Sequence, residues 1–101
     1  MSTNTDVVID EKIKVKAKEP KMYKVIFLND DTTPMEFVVS LLMNVFKHSE
    51  ETSQTLTITI HTEGSGIAGV FTHEIAEQKA VESIGLSRQH GFQLQIKLEE
   101  E

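Results

Sequence analysis

The sequence of 101 residues contains no cysteine, so neither a disulfide nor a thiolate nucleophile is available to it. A cysteine-free chain suits a reducing compartment and is stable in either redox state. No stretch approaches the ~18 consecutive apolar residues of a membrane span. Residues 1–10 lack the basic region and apolar core of a secretory signal, so the expected location is the cytoplasm. The glycines form no phosphate-cradling loop, and no two histidines stand at the spacing of a helical metal site. Basic charge is also in short supply, with 10 Lys and Arg against 16 Asp and Glu for a net charge of −6.

That charge is unevenly placed. Asp6, Asp10, Glu11 and Glu19 are balanced by Lys12, Lys14, Lys16 and Lys18, so the whole excess falls on residues 21–101. An acidic domain repels phosphate backbones, which argues against nucleic acid, and attracts cations, including the free amine of a peptide. The first twenty residues are rich in Thr, Lys and Glu, poor in bulky apolar groups and end at Pro20, the composition of a flexible extension. Residues 21–101 then form one domain with one core.

Within that domain, Met22–Leu28 is β-rich and apolar, as a core strand is, and stops at Asn29-Asp30-Asp31. Thr33 as N-cap, Pro34 in the first helical position and Glu36 closing a capping box predict a helix start. Val38, Leu41, Leu42 and Val45 give it a core-facing stripe, broadened by Phe37 and Phe46, and Lys47-His48 suits the dipole at its end. Segment 49–62 is ambiguous: Leu56-Thr57-Ile58-Thr59-Ile60 alternates like a strand and is β-branched. Ser49 as cap, Glu50 and Glu51 in a first turn and a stop at Gly64 predict a helix instead, and helix is the expectation. Gly66–Phe71 reads as a short buried strand. Thr72 caps a third helix running to about His90, with Ile75, Ala76, Ala80, Val81 and Ile84 as its apolar face and Gly91 as its stop. Phe92–Leu98 alternates as a half-buried strand. The order β-α-α-β-α-β predicts an α+β fold: a small antiparallel sheet of three strands with three helices on one face.

Asp30, Asp31 and His61 are the one plausible polar cluster. Asn29-Asp30-Asp31 reads either as a turn, since Asn and Asp bond their own backbone, or as an acceptor-rich site for an ammonium group. A lone histidine such as His61 is more often a surface or capping residue than a ligand. Two carboxylates and an imidazole could also serve a metal or acid-base enzyme, although no third strong ligand is evident. His48, His73 and His90 read as exposed helix residues.

The stretch Asn29-Asp30-Asp31-Thr32-Thr33-Pro34-Met35-Glu36-Phe37-Val38, preceded by Met22-Tyr23-Lys24-Val25, resembles the hallmark segment of the ClpS family. Gly69-Val70-Phe71-Thr72 with Glu74, Ala76, Glu77 and Lys79 resembles its second strong block, and His61 falls between them. The resemblance covers residues 21–101 and implies a non-enzymatic adaptor without cofactor or metal. Such an adaptor binds N-degrons: the α-amine goes to Asn29, Asp30, Asp31 and His61, and a Leu, Phe, Tyr or Trp side chain to a pocket of Met35, Val38, Thr57, Ile60 and Leu94. Thr57 departs from the family, where a methionine is expected, and Thr32 replaces a residue that is often aromatic. The resemblance further implies that Glu74 and Lys79 contact the N-terminal domain of a ClpA-type AAA+ unfoldase, that residues 1–20 assist delivery to ClpP, and that the adaptor is a monomer. The alternative is a protein-docking domain of the same architecture without N-degron activity, as in the C-terminal domain of the ribosomal stalk protein, which lacks the Asn-Asp-Asp turn and distant histidine.

Overall fold

Val25 and Phe27 alternate inward from strand β1 (Met22–Leu28) and are fully buried, which makes this strand the centre of the core. The computed structural model describes residues 20–101; apart from Pro20, the extension expected at 1–20 lies outside the described residues. β1 is followed by helices α1 (Met35–Asn44) and α2 (Glu50–Glu63), strand β2 (Ser65–Thr72), helix α3 (His73–Gln89) and strand β3 (Gln95–Glu100). The expected order is therefore the observed one. β1 lies between β2 and β3 and pairs antiparallel with both, with a bulge at Val25/Ile26 on the β2 side. Over the face that carries Val25 and Phe27, the helices close a core of Val38, Leu41, Leu42, Val45, Phe46, Ile60, Ala68, Ala76 and Leu94.

The start of α1 departs from the predicted capping box. Pro34, not Thr33, occupies the cap position in extended geometry, and no side chain caps the helix. The Thr33 hydroxyl donates to the Asp30 carboxylate at 2.7 Å, a charge-assisted bond that holds the side chain to the turn. The stripe Val38, Leu41, Leu42 and Val45 is buried as its spacing requires. Its C-terminus is not served by Lys47-His48. Lys47 takes a left-handed φ of 63°, and the Val45 carbonyl accepts from Lys79 Nζ at 2.8 Å.

Segment 50–63 is helical in spite of its β-branched residues. Ser49 Oγ accepts from the Thr52 N–H at 3.1 Å, and Gly64 (φ 92°) ends the helix by donating to the Ile60 carbonyl at 3.0 Å. Thr57, Thr59 and Thr62 donate their hydroxyls to the carbonyls of Ser53, Thr55 and Ile58 at 2.7, 3.1 and 2.9 Å. These bonds back to the preceding turn satisfy the hydroxyls within the helix itself.

On α3 the inward face matches the expected one at Ala76 and Ala80, with Ile84 half-buried, and departs from it elsewhere. Ala76, Ala80, Ser83 and Ser87 face inward, whereas Ile75 is exposed and Val81 is 65% exposed. Small side chains at spacings of four, three and four let the helix sit close to the sheet, and two of them are serines that a hydropathy scan discards. Gly85 does not interrupt the helix, and Gly91 (φ 80°) follows its end. Arg88 donates to the carbonyls of Phe92 and Leu94, fastening the connection that leads into β3. The strand begins at Gln95, later than Phe92, and Ile96 and Leu98 are half-buried. His48 is neither helical nor exposed; its Nε2 meets the Ala68 carbonyl oxygen in the loop before α2. His73 and His90 are exposed, against Tyr23 and Phe92 respectively.

Candidate functional site

The turn after β1 is built by its own hydrogen bonds. The Asp30 carboxylate accepts from the Thr32 N–H at 2.9 Å, from the Thr32 hydroxyl and from the Thr33 hydroxyl. Partial burial pushes the Asp30 carboxyl up, but the bonds from Thr32 and Thr33 outweigh it and hold the group below its ordinary 3.8. Thr32 Oγ1 in turn accepts from the Gln93 N–H at 2.9 Å, which ties the turn to the loop before β3. On its other side, the Asn29 N–H donates to the Gly64 carbonyl at 3.0 Å. That bond sets the end of β1 beside the last turn of α2, where His61 projects.

These constraints surround a cavity of about 260 Å³ lined by Asn29, Asp30, Asp31, Thr33, Pro34, Met35, Val38, Thr57, Ile60 and His61. Drug-sized ligand sites run to ~300–1,000 Å³, so this one is near the small end of that range. All four residues expected at the amine line it, as do four of the five expected in the side-chain pocket. Leu94 is the exception: it is 1% exposed, part of the core, and does not line the cavity. Residues separated by thirty positions thus meet: the turn and α1 supply one wall, and Thr57, Ile60 and His61 of α2 the other. Thr33 and Pro34 belong to the lining although sequence reasoning gave them only a capping role.

The two residues expected at an unfoldase behave differently. Glu74 is exposed in the first turn of α3, on a surface it shares with Glu77, Gln78, Val81 and Glu82. Lys79 is turned inward: besides its bond to Val45, its ammonium lies 5.8 Å from the centroid of Phe46 and 5.3 Å from that of Phe71. Among the described residues, no three His, Asp or Glu side chains group so as to hold a metal ion. Among the same residues no helix is long and apolar enough to cross a membrane.

A family model described as the ATP-dependent Clp protease adaptor protein ClpS matches residues 18–97. This chain belongs to the ClpS family. The ClpS adapter protein of Rhodospirillum centenum is 45% identical over 98 residues, which span 97% of this chain and 89% of that protein. That of Campylobacter jejuni (strain 81-176) is 48% identical over 88 residues, 87% of this chain and 92% of its own. Among solved structures, Agrobacterium tumefaciens ClpS2 bound to L-phenylalaninamide superposes with a TM-score of 0.79 at 44% identity, covering 82% of this chain and all of that one. A ClpS protein is an adaptor of the Clp protease, so the family assigns this chain a part in proteolysis without assigning it a catalytic step.

Proposed function

We propose that this adaptor captures proteins by a free N-terminal amine followed by a bulky apolar side chain, Leu, Phe, Tyr or Trp, and delivers them to a ClpA-type AAA+ unfoldase for degradation by ClpP in the cytoplasm. The observation that carries the reading is the cavity itself, in which hydrogen-bond acceptors and an apolar slot adjoin. A protonated amine has three donors. The Asp31 carboxylate, the Asn29 amide oxygen and a ring nitrogen of His61 are three acceptors of matching kind, and an internal peptide N–H cannot engage all of them. Asp30 lines the same cavity within the amine-binding set and has a second role: its oxygens accept from Thr32 and Thr33 and so hold the loop in shape. The side chain of the first residue then enters between Met35, Val38, Thr57 and Ile60, where burial of ~25 cal/mol per Å² rewards large apolar groups. The phenylalaninamide carried by the Agrobacterium relative is a free amine on a Phe side chain, the chemistry this site would take.

Delivery falls to the outer surface. Glu74 is free to meet a partner, whereas Lys79 would contribute through its placement of the α1 end, and residues 1–20 would act in hand-over. The test is a titration with peptides that differ only at residue one, each with a free or an acetylated N-terminus. Charged hydrogen bonds are worth ~1.5–3 kcal/mol each, so acetylation weakens binding at least about tenfold. Equal affinity for the acetylated peptide rules the amine-receptor function out.

A further inference from the structure

We propose that Thr57 ranks the first residues, favouring aromatic side chains that carry a hydrogen-bond donor, tyrosine and tryptophan, over phenylalanine and leucine. The proposal rests on the amine-receptor reading above and concerns the apolar part of the same cavity. Thr57 is 3% exposed and lines the cavity from α2. Its Oγ1 donates to the Ser53 carbonyl at 2.7 Å. A hydroxyl has one donor and two acceptor lone pairs, so with the donor committed this group can only accept. One turn earlier, the Ser53 hydroxyl is also buried and has no partner among the described residues. Ser53 lies behind the lining, so Thr57 is the polar side chain that α2 brings to a slot otherwise walled by Pro34, Met35, Val38 and Ile60.

With its own donor bonded to Ser53, the Thr57 oxygen keeps lone pairs free, and a ligand that supplies a donor gains a bond there. Phenylalanine and leucine bring none. The tyrosine O–H and the tryptophan indole N–H each bring one on a ring that also fills an apolar slot. Space for the longer rings comes from the same residue. Met35 and Thr57 line not only the cavity but also an adjoining groove of about 460 Å³ between α1 and α2, shared with Glu36, Val39, Glu50, Gln54 and Ile58. A small threonine at that junction lets the slot run on past Met35.

The experiment compares peptides beginning with Phe, Tyr, Trp or benzothienylalanine, the last replacing the indole N–H by sulfur at nearly constant shape. Each is titrated against the full chain, Thr57→Val and Thr57→Ser. Thr57→Val weakens Tyr and Trp peptides about three- to tenfold relative to Phe, while Thr57→Ser keeps the ranking of the unsubstituted protein. The unsubstituted protein prefers Trp over benzothienylalanine by a similar factor, a comparison that needs no variant to fold. Equal affinity for that pair, or an unchanged Tyr-to-Phe ratio in Thr57→Val with every peptide bound, overturns the role of Thr57 and leaves the amine receptor standing. Binding of none of the peptides to the unsubstituted protein overturns both.

Discussion

The backbone N–H of Asn29 donates to the carbonyl of Gly64 at 3.0 Å, joining the last residue before the turn to the residue that ends α2. This one bond brings the acceptors of the turn to within a cavity's width of His61. Gly64 can serve because it sits at φ 92°, where its carbonyl is released from the helix and turned toward β1. The site is thus set by how a helix ends and a strand begins, and its neighbours can be tested one at a time.

Gly66 lies two residues further on, in β2, against the wall of the cavity. A Cβ built there falls 2.7 Å from Ile60 Cγ1, a branch atom near the backbone that cannot swing aside cheaply. Gly66→Ala therefore costs about 1–3 kcal/mol of stability by overpacking and pushes Ile60 into the slot. Chemical denaturation together with peptide titration checks both effects, and a variant of unchanged stability and affinity would show that Ile60 yields freely.

Asp30 links the turn to acid stability. Its carboxyl sits below 3.8, so the charged form is favoured in the folded state. The stabilisation is complete above that ordinary value and is lost as pH falls through the lower folded-state value. Asp30→Ala should reduce stability by about 1–2 kcal/mol at neutral pH, with the difference from the unsubstituted protein shrinking in strong acid. Denaturation midpoints across the acid range measure it; a difference that grows on acidification would contradict the assignment.

Lys79 and Glu74 separate a structural from a surface role on one helix. Lys79→Met keeps most of the apolar stem but removes the bond to Val45 and the cation over Phe46 and Phe71. The expected loss is about 1–3 kcal/mol, with peptide affinity little changed. Glu74→Gln, on the exposed first turn, should leave stability within about 0.5 kcal/mol while weakening association with a purified unfoldase N-terminal domain. Equal stability of both variants would return Lys79 to the surface.

The two halves of the chain were unequally legible. The strand-helix order could be read because Met22–Leu28, the 38-41-42-45 stripe and the Ser49 and Gly64 caps are local signals in which chemistry and geometry agree. The inward face of α3 could be read only at Ala76 and Ala80, since Ser83 and Ser87 are buried for their size and not their hydropathy. Thr33 is a related case: a capping box needs its side chain over the helix N–H groups, and here Asp30, three residues away, holds that side chain to the turn. The cavity needed long-range information. Nothing in the local sequence around His61 places it opposite Asn29; the resemblance to a family suggested the pairing, and Leu94, suggested on the same grounds, is held in the core instead.

Met35 distinguishes a lining residue from a core residue. It is 42% exposed at the first turn of α1 and lines both the cavity and the adjoining groove, so it stands between them opposite Thr57. If the cavity takes the first residue as proposed, the Met35 side chain narrows it against residues branched at the β carbon. Truncating a buried methionine to alanine costs ~2–5 kcal/mol, because a cavity opens in close-packed surroundings. Met35 already borders open space, so Met35→Ala should cost about 1 kcal/mol or less. The variant should stay folded and gain affinity for peptides beginning with Ile or Val, while those beginning with Phe lose some of the contact area that Met35 supplied. Thermal melting and peptide titration on the same preparation decide the matter. A large fall in melting temperature with no change in residue-one preference would place Met35 in the core and require the β-branched side chains to be screened elsewhere.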